Sequence, residues 1–423
     1  MKMEKLKQYK LSELYVMSSG ISTKKEQAGH GAPFLSFRTV FNNCYIPNVL
    51  EDRMDTSEQE QNIFSVKKGD VFLTRTSETI DELGMSSVAL KDYPNATYSG
   101  FLKRLRPLQS GITYDRYMAF YFRSAYFRKA MNNNASMTLR ASLNEEIFSY
   151  ITVALPDYET QVKIGDFLYS IEEKIRNNSL YVSELESMAK DIYDYWFVQF
   201  DFPDENGKPY KSSGGKMVWN EELKREIPEG WMKGCISSIA TLINDQVFPE
   251  DNEIYIHYSI PAFDSGRIPV KEQGSTIESN KYVVSKEMIL ASKLNPQFPR
   301  IWWPAFIEAN MICSTEFLPL IPNNELYRVF LYLLLKSDAL CTEMKQKATC
   351  STGSRRRIDP DVFMSMCFAL PTDKTIIAFS EKVFPIIEKV NVCLKENEEL
   401  TSLRDFLLPL LMNGQVKIGD VEL

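Results

Sequence analysis

Two short segments in the first part of the chain carry side chains that can hold a nucleic acid. These residues are Thr74, Arg75, Thr76 and Ser77, which follow a predicted strand, and Arg140 and Ser142 further on. Arginine binds guanine edges and phosphates bidentately, and serine and threonine hydroxyls reach bases or phosphates. The two segments therefore predict recognition of a polynucleotide, a chemistry in which no covalent bond changes.

The second half of the chain carries a matching pair of segments. The earlier segment contributes Lys293, and the later one contributes Ser351, Ser354, Arg355, Arg356 and Arg357. Three consecutive arginines after a Gly- and Ser-rich turn form the strongest local positive charge in the chain, and they suit phosphates. The two pairs of segments have similar positions in the two halves of the chain, which favours a binding function. The alternative is that the arginines form a solvated basic loop.

The sequence motifs of common catalytic sites are absent from the chain. It has no GxxxxGK[ST] or GxGxxG loop, no HExxH, and only two histidines, His30 and His257, with no Cys or His at metal-ligand spacing. Adjacent carboxylates at 145–146, 172–173 and 398–399 fit helix starts or solvated helix faces. We therefore predict a non-catalytic chain with no metal or cofactor of its own.

The paired segments belong to a longer repeat with an offset of about 215 residues. Ala-Leu-Pro occurs at 154–156 and again at 369–371, and each copy precedes a long helical pattern. The first apolar seam is Ile164, Leu168, Ile171, Ile175, Asn178, Val182, Leu185, Ala189, Ile192 and Trp196. The second, offset seam is Phe379, Val383, Ile386, Val390, Cys393, Asn397, Leu400, Arg404, Leu407 and Leu411. Alternating steps of four and three residues predict two long helices that pack along each other.

The two seams also predict how the helices pair. If the helices run antiparallel with aligned ends, facing residue numbers add up to about 575, so Asn178 faces Asn397. Such an Asn pair favours one alignment; the alternative is that each amide lies at a wet rim. Proline costs about 3 kcal/mol inside a regular helix. We therefore expect Pro385 to kink the second helix or to delay its start to near Val383.

The pattern of elements predicts an α/β (α+β) chain with two similar globular heads, joined by two long helices that form an antiparallel coiled coil. The predicted parts are a first head at 1–155, a first long helix at 156–200, a connector at 201–231, a second head at 232–370, and a second long helix with the C-terminal tail at 371–423. Within the heads, single helices are predicted at 114–131 and 327–347, and a strand follows the turn at Lys68 and Gly69.

The charge distribution supports binding through the heads. The net charge is −7, yet residues 1–155 carry 20 Lys and Arg against 16 Asp and Glu, while residues 156–200 carry 4 against 9. The first seam spans 33 residues, roughly 50 Å of helix, and one turn of B-DNA is about 34–36 Å. The helices can therefore separate two heads by about one turn of DNA. The seven unpatterned cysteines and the absence of a signal peptide or membrane segment lead us to expect a cytoplasmic protein.

The chain resembles the specificity subunits of type I restriction–modification enzymes. The most specific runs are YWFVQFDFP at 195–203 and LLMNGQV at 410–416. Further runs that carry the resemblance are 69–79, 99–101, 191–194, 207–215, 227–231 and 403–409. Together with the repeat, the resemblance covers nearly the whole chain.

The resemblance implies that each head is a target recognition domain for one half of a bipartite site on double-stranded DNA. It implies that the helices set the gap between half-sites and dock two methyltransferase subunits. S-adenosylmethionine, ATP and Mg²⁺ would then be held by those subunits and by separate restriction (motor) subunits, not by this chain. A tandem-domain scaffold that binds proteins without DNA is the alternative, which the slightly acidic second head favours.

Overall fold

The computed structural model describes residues 6–77, 84–134, 141–142, 145–305, 308–350, 355–416 and 418. The chain divides into two units, one of Met1–Lys174 with Leu400–Leu423 and one of Ile175–Glu399. Each unit therefore contains one head together with parts of both long helices.

In the first unit, strands and short helices alternate up to the first long helix. The strands are β1 (Lys7–Lys10), β2 (Tyr15–Ser19), β3 (Ala28–Leu35), β4 (Arg53–Met54), β5 (Val71–Thr74), β6 (Thr76–Ser77), β7 (Ser86–Val88), β8 (Thr97–Tyr98), β9 (Leu102–Pro107), β10 (Ala141–Ser142) and β11 (Thr152–Leu155). The helices are α1 (Leu11–Leu14), α2 (Phe37–Asn42), α3 (Glu58–Ile63), α4 (Asp115–Arg123), α5 (Ala125–Asn134) and α6 (Glu145–Tyr150), followed by the long α7 (Tyr158–Tyr193).

The first head is built on an antiparallel sheet in the order β2-β9-β5-β7. The predicted turn before β5 is present, and Gly69 adopts a φ of +84°, which glycine tolerates without steric cost. A second sheet has the order β4-β3-β8, and β1 pairs with β11 at the base of the head. Gly165 of α7 lets this helix approach α4, since a Cβ there would lie 2.6 Å from the Tyr117 backbone nitrogen.

The second unit continues with a connector and repeats these elements. Its strands are β12 (Met217–Asn220), β13 (Arg225–Pro228), β14 (Met232–Cys235), β15 (Ala240–Leu242), β16 (Gln246–Val247), β17 (Ile254–Tyr258), β18 (Val270–Gln273), β19 (Lys281–Val283), β20 (Ile289–Ser292), β21 (Ile301–Trp302), β22 (Met311–Ser314), β23 (Phe317–Pro322), β24 (Thr349–Cys350), β25 (Arg356–Arg357) and β26 (Cys367–Leu370). Its helices are α8 (Ile236–Ile239), α9 (Ile260–Asp264), α10 (Arg328–Lys336), α11 (Asp338–Lys347) and α12 (Pro360–Met364), and α13 (Asp373–Met412) is the second long helix.

The second head keeps the plan of the first. Its main sheet has the order β15-β23-β20-β21, and β14 pairs with β26 as β1 pairs with β11. The other sheet is larger, with the order β16-β19-β22-β17-β18. The repeat inferred from the sequence is therefore a repeat of topology.

Each predicted head helix is interrupted by a serine. Ser124 separates α4 from α5, and Ser337 separates α10 from α11, both with extended backbone. The hydroxyl of each serine accepts a hydrogen bond from a backbone N–H three residues later, which caps the following helix. The prediction of single helices at 114–131 and 327–347 is wrong for this reason.

The long helices run antiparallel, as each unit shows on its own. In the first unit, Ile164 and Leu168 share a core with Leu407 and Leu411. In the second unit, Val182 packs with Val390 and Cys393. These contacts confirm the predicted antiparallel direction. The seam of the second helix departs from the prediction at one step, where Ile387 is buried and Ile386 only partly so.

Pro385 does not delay the start of the second long helix. α13 runs without interruption from Asp373 to Met412, so the predicted start near Val383 is wrong. Pro385 is exposed, while Val383 and Ile387 are buried. Because the proline lies on the solvent side, water can satisfy the carbonyl group that loses its donor.

The first long helix ends in a π-helical turn, Asp194–Val198, that leads into the connector. Phe197 of this turn packs its ring 4.9 Å from Phe330 and 4.7 Å from Phe379. In the connector, the Phe202 ring stacks on Trp231 at 5.1 Å. The specific aromatic run at 195–203 therefore serves to pack the base of the second head.

Candidate nucleic-acid interface

The first predicted segment begins at the end of a buried strand. Thr74 closes β5 and is completely buried, and its Oγ1 accepts a hydrogen bond from the Met85 backbone N–H at 2.9 Å. Thr74, which the sequence predicted to contact a nucleic acid, is instead enclosed, because all four residues of β5 are buried. The Arg75 side chain, one residue further on, is exposed.

The two segments of the first head meet as paired strands. Antiparallel pairing of β6 with β10 places Ser77 opposite Ala141 and Thr76 opposite Ser142. Residues that are distant in sequence therefore form one edge beyond the end of β5. Arg140 lies outside the described residues.

An exposed phenylalanine lies beside this edge. The Arg75 backbone N–H donates to the Phe101 carbonyl at 2.8 Å, and the Phe101 side chain is 65% exposed. The preceding residue, Gly100, donates its N–H to the Ile21 carbonyl at 2.7 Å, which holds the turn. An exposed ring next to an arginine can stack on a base or enter a base step. Periodicity does not single out Phe101; an aromatic residue after Ser-Gly is the only sequence signal for it.

The second head brings its two segments together in the same way. Leu294, which follows Lys293 at the end of β20, pairs with Arg357 in an antiparallel bridge. The Asn295 backbone N–H donates to the Arg356 carbonyl at 2.7 Å, and the Arg356 N–H donates to the Asn295 side chain at 3.1 Å. The lysine and the arginine segment predicted from sequence are therefore neighbours.

The three arginines differ in their surroundings. Arg357 donates bidentately to Glu316, with Nη2 at 2.7 Å, and these hydrogen bonds hold the pKa of Glu316 below its usual value. Arg356 is half-buried and donates from Nη2 to the Ala348 carbonyl at 2.9 Å. The Arg355 side chain is exposed. Of the three, Arg355 is the most accessible to a phosphate.

A second exposed phenylalanine follows Lys293. The Phe298 side chain is 58% exposed, and its backbone N–H donates to the Asn295 carbonyl at 2.9 Å. The Arg300 guanidinium lies 5.7 Å from the Phe298 ring centre and is held by Asp264 at 2.7 and 2.8 Å. Both heads thus place an exposed ring next to the paired segments. The two serines predicted nearby, Ser351 and Ser354, lie outside the described residues.

The two seam asparagines meet between the long helices. Nδ2 of Asn178 donates to Oδ1 of Asn397 at 3.0 Å and to Glu396 at 2.7 Å. Nδ2 of Asn397 donates to the Ser179 hydroxyl at 3.2 Å. Both asparagines are buried. One hydrogen bond joins the two amides, and their other bonds reach Glu396 and Ser179 in the same alignment, which fits the predicted role in fixing the register.

In the first unit, an ion pair fixes the head to α7. Nη1 of Arg116 lies 2.7 Å from Oδ1 of Asp166, and the Tyr114 hydroxyl donates to the same carboxylate at 2.6 Å. The Arg116 guanidinium also lies 4.0 Å from the centre of the Tyr169 ring. This combination of a charge pair and cation–π stacking sets how α4 lies against the long helix.

In the second unit, Glu186 of α7 also anchors the head to a long helix. Its Oε1 lies 2.6 Å from Nη1 of Arg267 and 2.9 Å from Nζ of Lys336. Burial alone would raise the pKa of Glu186, but the two cations outweigh burial and hold it below the usual value. The carboxylate is therefore ionised near neutral pH and ties two parts of the second head to the helix.

Two further kinds of feature are absent from the described part of the chain. Among the described residues, no three His, Cys, Asp or Glu side chains come together as a metal site. No described helix combines the length and the apolar character that a membrane span requires.

The chain is similar to one described family over part of its length and to two named proteins. Residues 3–186 match the family model described as the type I restriction modification DNA specificity domain. The chain is 22% identical over 330 residues to the type I restriction enzyme HindI specificity subunit of Haemophilus influenzae, an alignment that covers 63% of this chain and 70% of that protein. It is 23% identical over 432 residues to the type I restriction enzyme MjaIX specificity subunit of Methanocaldococcus jannaschii, which covers 95% of this chain and 90% of that protein.

A solved structure shares the fold. The S subunit of a type I restriction–modification system from M. genitalium superposes with a TM-score of 0.60 at 14% identity, over 96% of both chains. The family model falls on the first head and α7, and the alignment with the M. jannaschii protein extends over both copies of the repeat. The chain is therefore similar to type I restriction–modification specificity subunits, in sequence over both copies of the repeat and in fold.

Proposed function

We propose that this chain is a non-catalytic DNA specificity subunit in which each head is a target recognition domain for one half of a bipartite double-stranded target. The observation that carries the proposal is the repeated meeting of two distant polar segments beyond a buried strand. β6 meets β10 in the first head, and Leu294 meets Arg357 in the second. A chain that presents the same kind of edge twice suits a duplex with two half-sites.

The proposed contacts come from residues at these edges. In the first head they are Arg75, Thr76, Ser77, Arg140 and Ser142, and in the second they are Lys293, Ser351, Ser354, Arg355, Arg356 and Arg357. We add the exposed rings of Phe101 and Phe298, which suit stacking or insertion at a base step. Thr74 is left out because it is buried. Arg355 takes the main phosphate contact, since its side chain is the most exposed of the three arginines.

The long helices have two roles in this proposal: they set the distance between half-sites, and they dock two methyltransferase subunits. Tyr181, Met188 and Tyr195 recur every seven residues and are 46%, 54% and 38% exposed. Seven-residue spacing places them on one face, and an exposed apolar face on a helix suits a partner helix. S-adenosylmethionine, ATP and Mg²⁺ belong to those subunits and to the restriction subunits.

The experiment that tests the proposal assembles the chain with methyltransferase subunits of a type I restriction–modification system. Mapping of methylated adenines in DNA exposed to this complex is expected to give a bipartite sequence with a fixed gap. Binding to a duplex with that sequence should weaken steeply with salt, because each neutralised phosphate releases counterions.

The same measurements discriminate against the scaffold alternative. A tandem-domain protein scaffold would give no methylated motif that depends on this chain, and no salt-dependent DNA affinity. Either result would overturn the proposed function.

A further inference from the structure

The first and last strands of the second head place two cysteines opposite each other. β14 and β26 run antiparallel, with Cys235 as the partner of Cys367. The Ile236 N–H donates to the Met366 carbonyl at 3.1 Å, so the adjacent cysteine pair is a non-hydrogen-bonded pair. The Cα atoms of such pairs lie about 4.5 Å apart, which falls within the disulfide range of about 4.4–6.8 Å.

The two sulfur atoms are already adjacent. Sγ of Cys235 lies 2.7 Å from Sγ of Cys367. Both side chains are partly exposed, so a small solute can reach them. The backbone therefore needs no rearrangement to bring the sulfurs together.

The internal repeat shows that strand pairing does not require cysteines here. In the first head, β1 and β11 pair in the same way, and the equivalent positions hold Lys10 and Thr152. The fold accommodates a lysine and a threonine where the second head has two thiols. The cysteine pair is therefore a feature of the second head alone, and the first head supplies a natural comparison.

We propose that Cys235 and Cys367 form an oxidisable dithiol, which closes to an intrachain disulfide in the presence of a peroxide. The Cys235 sulfur attacks a peroxide oxygen, the O–O bond breaks, and a sulfenic acid and water form. The Cys367 sulfur then attacks the sulfenic sulfur, the S–S bond forms, and the S–O bond breaks with loss of a second water. In total, two thiols and one hydrogen peroxide give one disulfide and two water molecules.

The surroundings of Cys367 raise its pKa. Burial, followed by the hydrogen bond and the charge of Cys235, raises the pKa of Cys367 to about 11, against the opposing effect of Lys233. The overall reaction gives the same disulfide whichever of the two sulfur atoms attacks the peroxide first.

The disulfide would close the second head at its base. β14 follows the connector, and β26 leads into α13, so the bond joins the two ends of the head. Cross-linking distant residues restricts the unfolded chain more than the folded one. Oxidation is therefore expected to stabilise the second head against unfolding and to leave the first head unchanged.

The test uses the full chain, reduced and then treated with hydrogen peroxide. The expected result is a loss of two hydrogens in the intact mass, and a cross-linked peptide pair containing Cys235 and Cys367 after alkylation and digestion. The thermal midpoint of the oxidised chain should lie several degrees above that of the reduced chain, and a reductant should reverse the shift.

Matched variants show whether this pair is responsible. Cys235→Ser and Cys367→Ser should each abolish the cross-link and the redox-dependent shift, whereas Cys341→Ser, at another partly exposed thiol, should retain both. Lys10→Cys combined with Thr152→Cys should create a second cross-link, in the first head. The proposal is overturned if both cysteines of the native chain stay open to alkylation after peroxide, or if the cross-link joins other cysteines.

Discussion

At the scale of single residues, the three arginines of the second head carry the same charge but differ in their exposure to solvent. Arg355 is exposed, whereas Arg356 and Arg357 are each partly buried. A net count of three positive charges therefore overstates what this segment offers to a phosphate. Mutation of each arginine singly distinguishes binding from folding.

Arg355→Ala is expected to weaken binding of the assembled complex to all DNA sequences alike, because phosphate contacts carry no sequence information. The slope of log Kd against the logarithm of the salt concentration should decrease by about one, because one fewer counterion is released. Thermal unfolding should be unchanged, since the side chain is exposed. Lys345→Ala, at an exposed lysine of α11, is the control. Equal losses in the two variants would contradict the assignment.

Arg357→Ala is expected to act chiefly on stability, with a smaller loss of DNA affinity than Arg355→Ala. It leaves the Glu316 carboxylate, whose side chain is 26% exposed, without its bidentate partner. Solvent screening limits the loss to about 1 kcal/mol of unfolding free energy. Urea denaturation of the full chain measures this loss, and unchanged stability together with a large loss of DNA affinity would show that contact with DNA, and not the Glu316 pair, is the main role of Arg357.

At the scale of elements, the Asn178–Asn397 contact makes the pairing of the long helices testable. Asn178→Leu leaves the buried Asn397 amide without its main partner, which costs about 1–3 kcal/mol of unfolding free energy. Asn178→Leu with Asn397→Leu should recover much of that loss, because two leucines pack across the seam. Asn177→Leu on the exposed face is the control.

Denaturant unfolding of these variants gives the coupling energy of the two asparagines. A value near zero would show that the amides do not depend on each other, which would contradict a role in setting the register.

The anchor between α7 and the second head predicts a pH dependence. Glu186 has a lowered pKa in the folded chain, against an ordinary value of 4.5. Its contribution to stability is therefore complete well above pH 4.5 and is lost as the pH falls through the lower, folded value. Glu186→Gln should cost about 2 kcal/mol near neutral pH.

The deficit of Glu186→Gln relative to the native chain should shrink as the pH is lowered below 4.5. Urea denaturation over a pH series measures it, with Glu184→Gln, at an exposed position of the same helix, as the control. A deficit that stays constant with pH would show that the carboxylate charge is not what anchors the helix.

Elements that produce a periodic pattern of apolar residues could be predicted from the sequence. The heptad seam and the facing asparagines follow from spacing alone, and the structure contains both. The serine breaks at Ser124 and Ser337 were not accessible, because serine is compatible with a helix interior until its hydroxyl is seen to cap the next helix.

The candidate site was predicted less completely. The pairing of β6 with β10 depends on contacts between residues distant in sequence, and periodicity carries no information about these. Thr74 is buried because both faces of β5 are covered, whereas a strand with one wet face would have exposed every second side chain. Phe101 and Phe298 lie on turns, where exposure follows from tertiary packing.

At the scale of the whole molecule, the chain is two heads with separate interiors. The first core collects residues of the first head, the start of α7 and the end of α13. The core of the second head collects the end of α7, the connector and the start of α13. Each head therefore packs against its own segments of the long helices. Exchange of one head should leave the core of the other head intact.

Exchange of residues 1–155 for the corresponding head of a relative is expected to change one half of the methylated sequence only. The second half-site and the gap should persist, because the second head and both long helices are retained. The incoming head needs a tyrosine and an arginine at the positions of Tyr114 and Arg116, since these hold Asp166 of α7. Sequencing of methylated adenines measures the outcome, and exchange of residues 232–370 is the reciprocal experiment. A change in both halves, or in neither, would show that the heads do not read DNA independently.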